Sequence, residues 1–286
     1  MNNSNKHISF LLMGGFGNQI FQFCKAKDFQ NKGYITTIDT SNYARFKGVD
    51  MYPNIHREQV FPISYFGFQE TPDNIKSIYK NLKRFKKYRF IPSVLNPSKE
   101  INDQNIHTTK FKKYNYAIGY WQNITLIKKY KNFVIESLSK DEELLKCFNS
   151  DIVAGSTLLH VRRGDYVNLN ENLDDTFYMK SLEYCKNNIK NFNYEIFTDD
   201  YEWVNSNKIF KDANFIHSDN ISVENTIKSF GKMIKNENFI IGNSTFPLIA
   251  AALSENKNSK VLVADPWFIN KRRDLNLPDS WIKISR

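Results

Sequence analysis

The densest group of residues that could do chemistry is the segment His160-Val161-Arg162-Arg163-Gly164-Asp165-Tyr166. It directly overlaps the end of Thr157–Val161, an apolar run that is typical of a β-strand. Two arginines at the end of a buried strand are costly unless an anion or a carboxylate meets them. A guanidinium group can make two parallel hydrogen bonds to a diphosphate. The segment therefore indicates either an anion-binding site or a structural network of arginine and aspartate.

Backbone geometry separates the two arginines. Successive side chains of an extended chain point in opposite directions, so Arg162 and Arg163 cannot both face one ligand in a regular strand. We expect one of them to bind phosphate while the other pairs with Asp165. His160 stands at the end of a predicted strand, where a histidine is usually packed in the core and hydrogen-bonded.

Polar residues also follow two other predicted strands. Asp199 and Asp200 come after Tyr194–Thr198, and Asn243-Ser244-Thr245 comes after Phe239–Gly242. An acid at such a place can accept hydrogen bonds from a ribose or a guanine, or it can cap the next helix. Free N–H groups at a helix N-terminus attract anions, so the second segment either faces a phosphate or serves as a cap.

A glycine-rich turn follows the first predicted strand, Ile8–Leu12. Gly15 and Gly17 let the backbone approach a ligand closely and admit positive φ angles. Ile20 stands where a dinucleotide-binding fingerprint has its third glycine, and the turn lacks the Gly-Lys-Ser/Thr of a phosphate-binding Walker motif. The turn is therefore of neither common nucleotide-binding type.

Two pairs of residues in the first half are further candidates. Asn18 and Gln19 would open the helix predicted over 19–30, where they either cap it or face a ligand. Tyr120 and Trp121 could stack on a sugar, although burial in a core is the usual fate of such aromatic rings.

The elements that position these residues alternate in the second half. Strands are predicted over 157–161, 194–198, 214–217, 239–242 and 260–264, and helices over 177–190, 200–208, 222–236 and 245–256. This alternation predicts a parallel, doubly wound sheet, in which ligands bind beyond the carboxyl ends of the strands. The first half starts in the same way and then becomes irregular. A helix predicted over 127–149 leads into the second half, so we expect domains 1–150 and 151–286.

Six segments, in order along the chain, resemble motifs of the α1,2- and α1,6-fucosyltransferases, and most closely those of the bacterial and animal α1,2 enzymes. The segment around Arg162 resembles their HxRRxD motif. The matching segments are 14–23 (GGFGNQIFQF), 119–122 (GYWQ), 160–166 (HVRRGDY), 196–204 (IFTDDYEWV), 240–246 (IIGNSTF), and 266–268 with 281–283 (PWF and WIK).

The resemblance implies an α/β, GT-B-like fold of two Rossmann-type domains facing a cleft. The first would be an acceptor-side domain and the second a GDP-fucose-binding domain. The implied activity is inverting transfer of L-fucose from GDP-β-L-fucose to the 2-hydroxyl of a galactoside, in O-antigen or another surface glycan. The acceptor would be a galactose-containing oligosaccharide or lipid-linked glycan.

The resemblance also implies roles for individual residues. The expected catalytic residues are Arg162, Asp165 and Asn18. The expected acceptor contacts are Gln19, Tyr120 and Trp121. The expected donor contacts are His160, Arg162, Arg163, Asp199, Asn243, Ser244, Thr245, Phe246, Gly15 and Gly17.

Two departures from the family pattern affect the acceptor. Residues 247–253 read PLIAAAL where the family usually has SWWGAWL, and 235–237 read KNE where it has Cys-Lys-His. The start of the helix is kept, so the donor contacts are expected to persist while the neighbouring packing differs. A fucosyltransferase of different linkage or acceptor is therefore the alternative.

No cofactor or metal is expected. The sequence has no Asp-x-Asp, the motif with which many nucleotide-sugar enzymes hold a divalent metal. Arginine and helix-end N–H groups must then stabilise the charge that develops on GDP. Arg162, Ser244 and Thr245 suit that task.

The net charge of +10 suits a phosphate-bearing partner, whether nucleic acid, membrane or nucleotide-sugar. Residues 76–89 carry seven basic residues and no acid, which predicts an amphipathic helix with either a solvated face or contact with an anionic membrane. A nucleic-acid-binding protein would leave the ordered motifs unexplained, so we expect no nucleic-acid partner. A sugar-nucleotide binder without activity is a third interpretation, which the intact HxRRxD segment disfavours.

The cysteines and the hydropathy bear on the compartment. Cys24, Cys147 and Cys185 are far apart and form no CxxC pair, which argues against a disulfide framework or a zinc site. No run of about 18 apolar residues is present, as a membrane-spanning helix would need. We expect a cytoplasmic protein, with the inner face of a bacterial membrane as a peripheral contact.

Overall fold

The computed structural model describes residues 5–45, 58–78, 98–218, 222–269 and 275–286. The chain divides into two compact units, Met1–Gln122 and Asn123–Arg286, and each contains one parallel β-sheet. The division thus lies before residues 124–148 and not near 150, because the helices of that stretch pack against helices of the second unit.

The sheet of the first unit has four parallel strands in the order β2-β1-β4-β3. Its strands are β1 (His7–Leu11), β2 (Ile35–Asp39), β3 (Ser98–Ile101) and β4 (Tyr114–Ala117). Its helices are α1 (Phe16–Asn31) and the short α2 (Ser41–Arg45), with a 3-10 turn at Ile63–Phe66 and further helix over 73–78. The predicted first strand and first helix are confirmed, whereas β2, β3 and β4 fall where the sequence looked irregular.

Buried polar side chains account for part of that irregular appearance. Thr37 of β2 is buried, and its hydroxyl lies 3.1 Å from His7 Nε2 and 2.9 Å from Thr71 Oγ1. Ser9 of β1 lies 2.6 Å from the same Thr71 hydroxyl. A polar group can be buried at little cost when it is hydrogen-bonded. β2 therefore lacks the apolar pattern that identifies a buried strand, whereas in β1 the residues around Ser9 are apolar enough to keep it.

The sheet of the second unit has six parallel strands in the order β10-β9-β8-β5-β6-β7. They are β5 (Val153–Val161), β6 (Asn193–Thr198), β7 (Phe215–Ser218), β8 (Asn236–Ile240), β9 (Val261–Asp265) and β10 (Ile282–Ser285). The predicted α/β class is confirmed, as is a parallel sheet of doubly wound order in the second unit. The prediction did not include β10.

Helices alternate with these strands. They are α3 (Ile124–Lys129), α4 (Lys131–Leu138), α5 (Glu142–Phe148), α6 (Gly164–Asn168), α7 (Asp175–Asn188), α8 (Tyr201–Ser206), α9 (Val223–Met233) and α10 (Thr245–Ser254), with a 3-10 turn at Lys208–Phe210. The single helix predicted over 127–149 is instead three short helices. Two of these, α3 and α5, begin at side-chain caps, Asn123 and Asp141.

The order of the strands reverses at β5. The chain proceeds from β5 to β6 and β7 on one side, and then places β8, β9 and β10 on the other. Between β5 and β8 lies the topological switch point, where α/β sheets bind ligands beyond the carboxyl ends of their strands. The residues that follow β5 and β8 are therefore the first place to look for a site.

The core beneath this edge is apolar and closed. Leu159 and Val161 of β5 are fully buried together with Ile196 of β6, and Phe177 and Tyr178 of α7 pack against them. Each buried side chain of this size contributes roughly 1.5–3 kcal/mol. This apolar packing fixes the position of the carboxyl end of β5.

Of the basic segment 76–89, only 76–78 belongs to the described residues, so the predicted amphipathic helix falls largely outside them. Among the residues that are described, no helix is both long enough and apolar enough to cross a bilayer.

We expect β5 to require glycine at position 155. Its φ is +79°, and a Cβ there would lie 2.6 Å from the carbonyl oxygen of Asn191. Gly155→Ala should therefore lower the free energy of unfolding by more than the ~1–2 kcal/mol that a left-handed backbone costs an L-residue. Urea denaturation measures the loss. The matched control is Gly33→Ala, where φ is +83° and no atom lies within 4 Å. Equal losses in the two variants would contradict the steric argument.

Candidate active site

Arg162 follows β5 directly and is held between two carboxylates. Its Nη2 lies 2.5 Å from Asp165 Oδ1, and its Nη1 lies 2.9 Å from Asp199 Oδ2. Burial alone would lower the pKa of the guanidinium, but Asp199 and Asp165 raise the pKa overall, so Arg162 stays charged. The charge is thus fixed in place at the switch point.

Arg163 points the other way, towards α8. Its Nε lies 3.0 Å from Asp200 Oδ2, and its guanidinium lies 4.0 Å from the centre of the Trp203 ring. Its backbone N–H donates to Asp199 Oδ1 at 2.8 Å. The opposite directions of the two arginines agree with the strand argument. However, the arginine that pairs with Asp165 is Arg162, and Arg163 is occupied by an acid and an aromatic ring.

The two acids after β6 have different roles. Asp199 joins the ends of β5 and β6 by bonding Arg162 and the backbone of Arg163. Asp200 accepts from the backbone N–H of Trp203 at 3.2 Å and so caps α8. The cap interpretation therefore holds for Asp200. Asp199 bonds both arginines, and its expected contact with the donor stays a prediction.

Gly164 is a site residue that the sequence reasoning did not single out. A Cβ at this position would lie 2.6 Å from Asp199 Oδ2. Only glycine leaves room for that carboxylate beside Arg162. The signal was present as the glycine between Arg163 and Asp165.

His160 is buried at the end of β5 and only 4% exposed. Its Nδ1 has no hydrogen-bond partner, and its ring lies edge-on to Phe246, the second residue of α10, with the ring centres 6.5 Å apart. Burial, assisted by the charge of Arg162, lowers the pKa of His160 to about 3. The imidazole is therefore neutral near pH 7, and its unpaired nitrogen can bond a ligand.

The start of α10 lies after β8, across the switch point from Arg162. Ser244 is the N-cap residue but makes no side-chain capping bond, and Thr245 is half-buried. The first N–H groups of α10 are therefore not capped by the Ser244 hydroxyl. Asn243 is 2% exposed, and its Nδ2 donates to the carbonyl of Glu171 at 2.8 Å. The structure thus gives the Asn243 side chain a structural role, and its expected donor contact stays a prediction.

The first unit has its own polar group where β1 and β4 end. Gln122 Nε2 donates to Asn18 Oδ1 at 2.7 Å. Gly14 has a φ of +79°, and a Cβ on it would lie 2.8 Å from Asn18 Nδ2 and 2.9 Å from Tyr120 Cε1. The structure therefore brings Asn18, Tyr120 and Gln122 together. Asn18 stands inside α1 and does not cap it.

The glycine turn differs from the prediction in its details. The left-handed residue is Gly14, whereas Gly15 is extended with a φ of −79° and is the N-cap of α1. Gly17 lies buried within α1. The expected freedom of Gly15 and Gly17 is thus not used, because the chain makes its sharp bend one residue earlier.

Two of the expected acceptor contacts are buried. Gln19 is 1% exposed, and its amide bonds the backbone at Gly14, Glu58 and Val60. Trp121 is 4% exposed and packs edge-on against Phe10. Neither side chain offers surface to a sugar, so we correct both assignments to structural roles. Tyr120 remains partly exposed.

The clustered acids do not form a metal site. Within the described ranges, no three His, Cys, Asp or Glu side chains are arranged so that they could hold a metal ion. The three aspartates near β5 and β6 face arginines instead.

Comparison with known proteins assigns the chain to a family. The model of the family described as glycosyl transferase family 11 matches residues 71–284 of the 286. The chain belongs to this family. It is therefore a glycosyltransferase, and the matched range contains the arginines, Asp199 and α10, while the glycine turn at 14–17 precedes it.

Three individual proteins are also similar to this chain. An alpha-1,2-colitosyltransferase of Escherichia coli is 26% identical over 96% of this chain and 98% of its own length. The O-antigen biosynthesis glycosyltransferase WbnK of the same species is 24% identical, over 96% and 99%. A variant of Arabidopsis thaliana FUT1 in complex with GDP aligns with a TM-score of 0.44 and 9% identity, over 90% of this chain and 70% of that one.

We expect Asp199 to be critical to stability, because its removal leaves Arg162 with one carboxylate fewer. Asp199→Asn should lower the free energy of unfolding by about 3 kcal/mol, as for other broken buried ion pairs. The control is Asp212→Asn, whose partner Lys186 is half exposed; it should cost no more than about 0.5 kcal/mol. Chemical denaturation compares the two. Similar small losses would show that Asp199 is dispensable.

The neutral state of His160 predicts a pH dependence. The unfolded chain binds a proton at His160 below about pH 6.5, whereas the folded chain does so only near pH 3. Stability is therefore lost as the pH falls through this window, by about 2 kcal/mol between pH 7 and pH 5. In His160→Gln this part should vanish, so that unfolding free energies at pH 7 and pH 5 differ less than in the wild type. An unchanged difference would contradict the assignment.

Proposed function

We propose that the protein is an inverting fucosyltransferase that moves L-fucose from GDP-β-L-fucose to the 2-hydroxyl of a galactoside, in the synthesis of O-antigen or a similar surface glycan. The observation that carries the proposal is Arg162, a fixed charge at the switch point of the second sheet. It is supported by membership of family 11 and by the O-antigen role named for the relative WbnK.

The donor diphosphate lies against Arg162 and the start of α10 in this proposal. A guanidinium has five N–H groups, so its two carboxylate partners leave others free to bond phosphate oxygens. The first N–H groups of Thr245 and Phe246 add the positive end of the helix dipole. Together they stabilise the charge that grows on GDP as the sugar leaves, which is where fixed donors accelerate a reaction.

The guanine is recognised at His160 in the same proposal. A neutral imidazole with one unpaired nitrogen can donate to or accept from the edge of a base, depending on its tautomer. The half-buried ring of Phe246 beside it supplies an apolar face. A buried unpaired nitrogen is costly, and a bonded base would remove that cost.

Inversion needs an acceptor hydroxyl in line with the departing GDP, and a base assists its attack. Asp165 is the candidate base, and its carboxylate is held by Arg162. Asn18 is proposed to orient the acceptor through its amide, whose oxygen is bonded by Gln122. An amide cannot take up a proton at neutral pH, so the role of Asn18 is to position a hydroxyl.

A colitosyl donor is the second candidate. The observation that favours it is the 26% identical colitosyltransferase. Colitose lacks the 3-hydroxyl of fucose, so the same phosphate and guanine contacts would serve both donors. Discrimination then depends on a polar group at the sugar. A site built to bond a hydroxyl rejects the deoxy analogue strongly, whereas an apolar site discriminates weakly.

The deciding experiment offers GDP-fucose and GDP-colitose separately, with lactose and a panel of galactosides, in the presence of EDTA. Mass spectrometry of the products, followed by linkage analysis, identifies the sugar transferred and the position of the new bond. Fucosylation at the 2-hydroxyl in EDTA supports the proposal, including its independence of metal. Transfer of colitose alone favours the second candidate, and hydrolysis of GDP-fucose without transfer shows that the acceptor is wrong.

Arg162→Lys should reduce transfer at least 100-fold, the usual cost of removing one fixed donor from a developing negative charge. Lysine keeps a positive charge beside Asp165 and Asp199, so the fold is expected to survive. The control Lys186→Ala removes an exposed cation and should retain normal turnover. Initial rates and circular dichroism of both variants make the test. Ordinary activity in Arg162→Lys would refute the assignment.

A further inference from the structure

Arg286 bonds Glu171 in the loop that follows α6. Its Nη1 lies 2.9 Å from Glu171 Oε2, and its Nη2 donates to the carbonyl oxygen of Glu171 at 2.7 Å. The two side chains are only 13% and 14% exposed. A largely buried charge pair of this kind is stable only while both partners are present. The arginine therefore determines where Glu171 lies.

Glu171 in turn touches the start of α10. Its carbonyl oxygen also accepts from Asn243 Nδ2 at 2.8 Å. Its own N–H donates to the carbonyl of Tyr166 at 2.9 Å, and the Tyr166 hydroxyl donates to the carbonyl of Asn243 at 3.3 Å. Asn243 is thus bonded through its side chain to the loop and through its backbone to Tyr166 of α6. It immediately precedes Ser244, the N-cap of α10.

Arg286 lies at the end of β10, the strand at one edge of the six-stranded sheet. It follows β10, which lies beyond β9 and β8 from the switch point. Its N–H donates to the carbonyl of Asp265 at 3.4 Å, and the N–H of Ile269, which comes after β9, donates to Glu171 Oε2 at 3.2 Å. The Arg286 side chain and the Glu171 carboxylate together therefore tie the ends of β9 and β10 to the loop that bonds Asn243.

We propose that Arg286 is a positioning residue for the donor site. By holding Glu171 it fixes Asn243, and through Asn243 it fixes the first N–H groups of α10. The planar fork of arginine bonds the carboxylate and the carbonyl oxygen together, which a single ammonium group cannot do in the same geometry. The effect on the donor rests on the function proposed above, whereas the effect on the start of α10 does not.

Hydrogen exchange tests the structural part without any ligand. In Arg286→Met, the hydrogen-bonded amides of Glu171 and of Leu248, which bonds the carbonyl of Ser244, should exchange about tenfold faster, the factor expected for the loss of one charge-assisted hydrogen bond. Arg286→Lys should lie between this variant and the wild type. The control Lys180→Met removes an exposed lysine that bonds neighbouring Ser285 and should exchange like the wild type. Unchanged exchange at Glu171 and Leu248, or equal acceleration at Leu158–Val161 in β5, would overturn the proposal.

Binding and kinetics test the consequence for the donor. Calorimetry with GDP should show a Kd about tenfold weaker in Arg286→Met, and the KM for the donor should rise by a similar factor while kcat changes little. An altered kcat with unchanged Kd and KM would overturn the positioning role. If the wild type binds GDP without transferring fucose, the proposed sugar is wrong while both Arg286 measurements still apply. If the wild type binds no GDP, the donor proposal fails and hydrogen exchange alone decides the role of Arg286.

Discussion

The carboxylate of Asp199 is the contact on which the rest of the site depends. One of its oxygens bonds Arg162 and the other bonds the backbone of Arg163, so a single acid ties β5 to β6 where both strands end. Gly164 leaves the space for it. Because the carboxylates of Asp199 and Asp165 balance the charge of Arg162, the guanidinium is stable at the switch point. The bonds of Asp199 to Arg162 and to the backbone of Arg163 are compatible with the opposite directions of the two arginine side chains. They are also compatible with the cap of α8 and with the position of α6.

Much of the second unit could be predicted from local patterns. The run from Thr157 to Val161 is apolar, is followed by charged residues and is separated from the next such run by a helix-length segment. These features are sufficient to predict a parallel sheet and to place Arg162 at a carboxyl edge. The first unit was harder, since Thr37 of β2 is buried by bonding Thr71, which is far away in the sequence. A strand of that kind has no apolar signature.

The pairing of side chains was less predictable than the elements. The sequence contains acids on both sides of the arginines, but their partners follow from the register that sets Val161 beside Thr198. Gln19 looks like a ligand contact in a motif, yet it bonds backbone groups about 40 residues further along. The pair of Glu171 and Arg286 spans 115 residues and has no local signal. Such contacts are consequences of the assembled sheet.

The charges around β5 have a further consequence for how a ligand is attracted. The protein carries a formal charge of +10, but Arg162 and Arg163 stand among Asp165, Asp199 and Asp200, which gives this cluster a formal charge of −1. In the function proposed above, the nucleotide diphosphate of the donor is therefore not drawn to the arginines by a local excess of positive charge. Its capture at short range depends on directed hydrogen bonds, which dissolved salt screens much less than it screens a long-range field. The ionic strength of the medium should then influence how often the nucleotide arrives more than how firmly it is held.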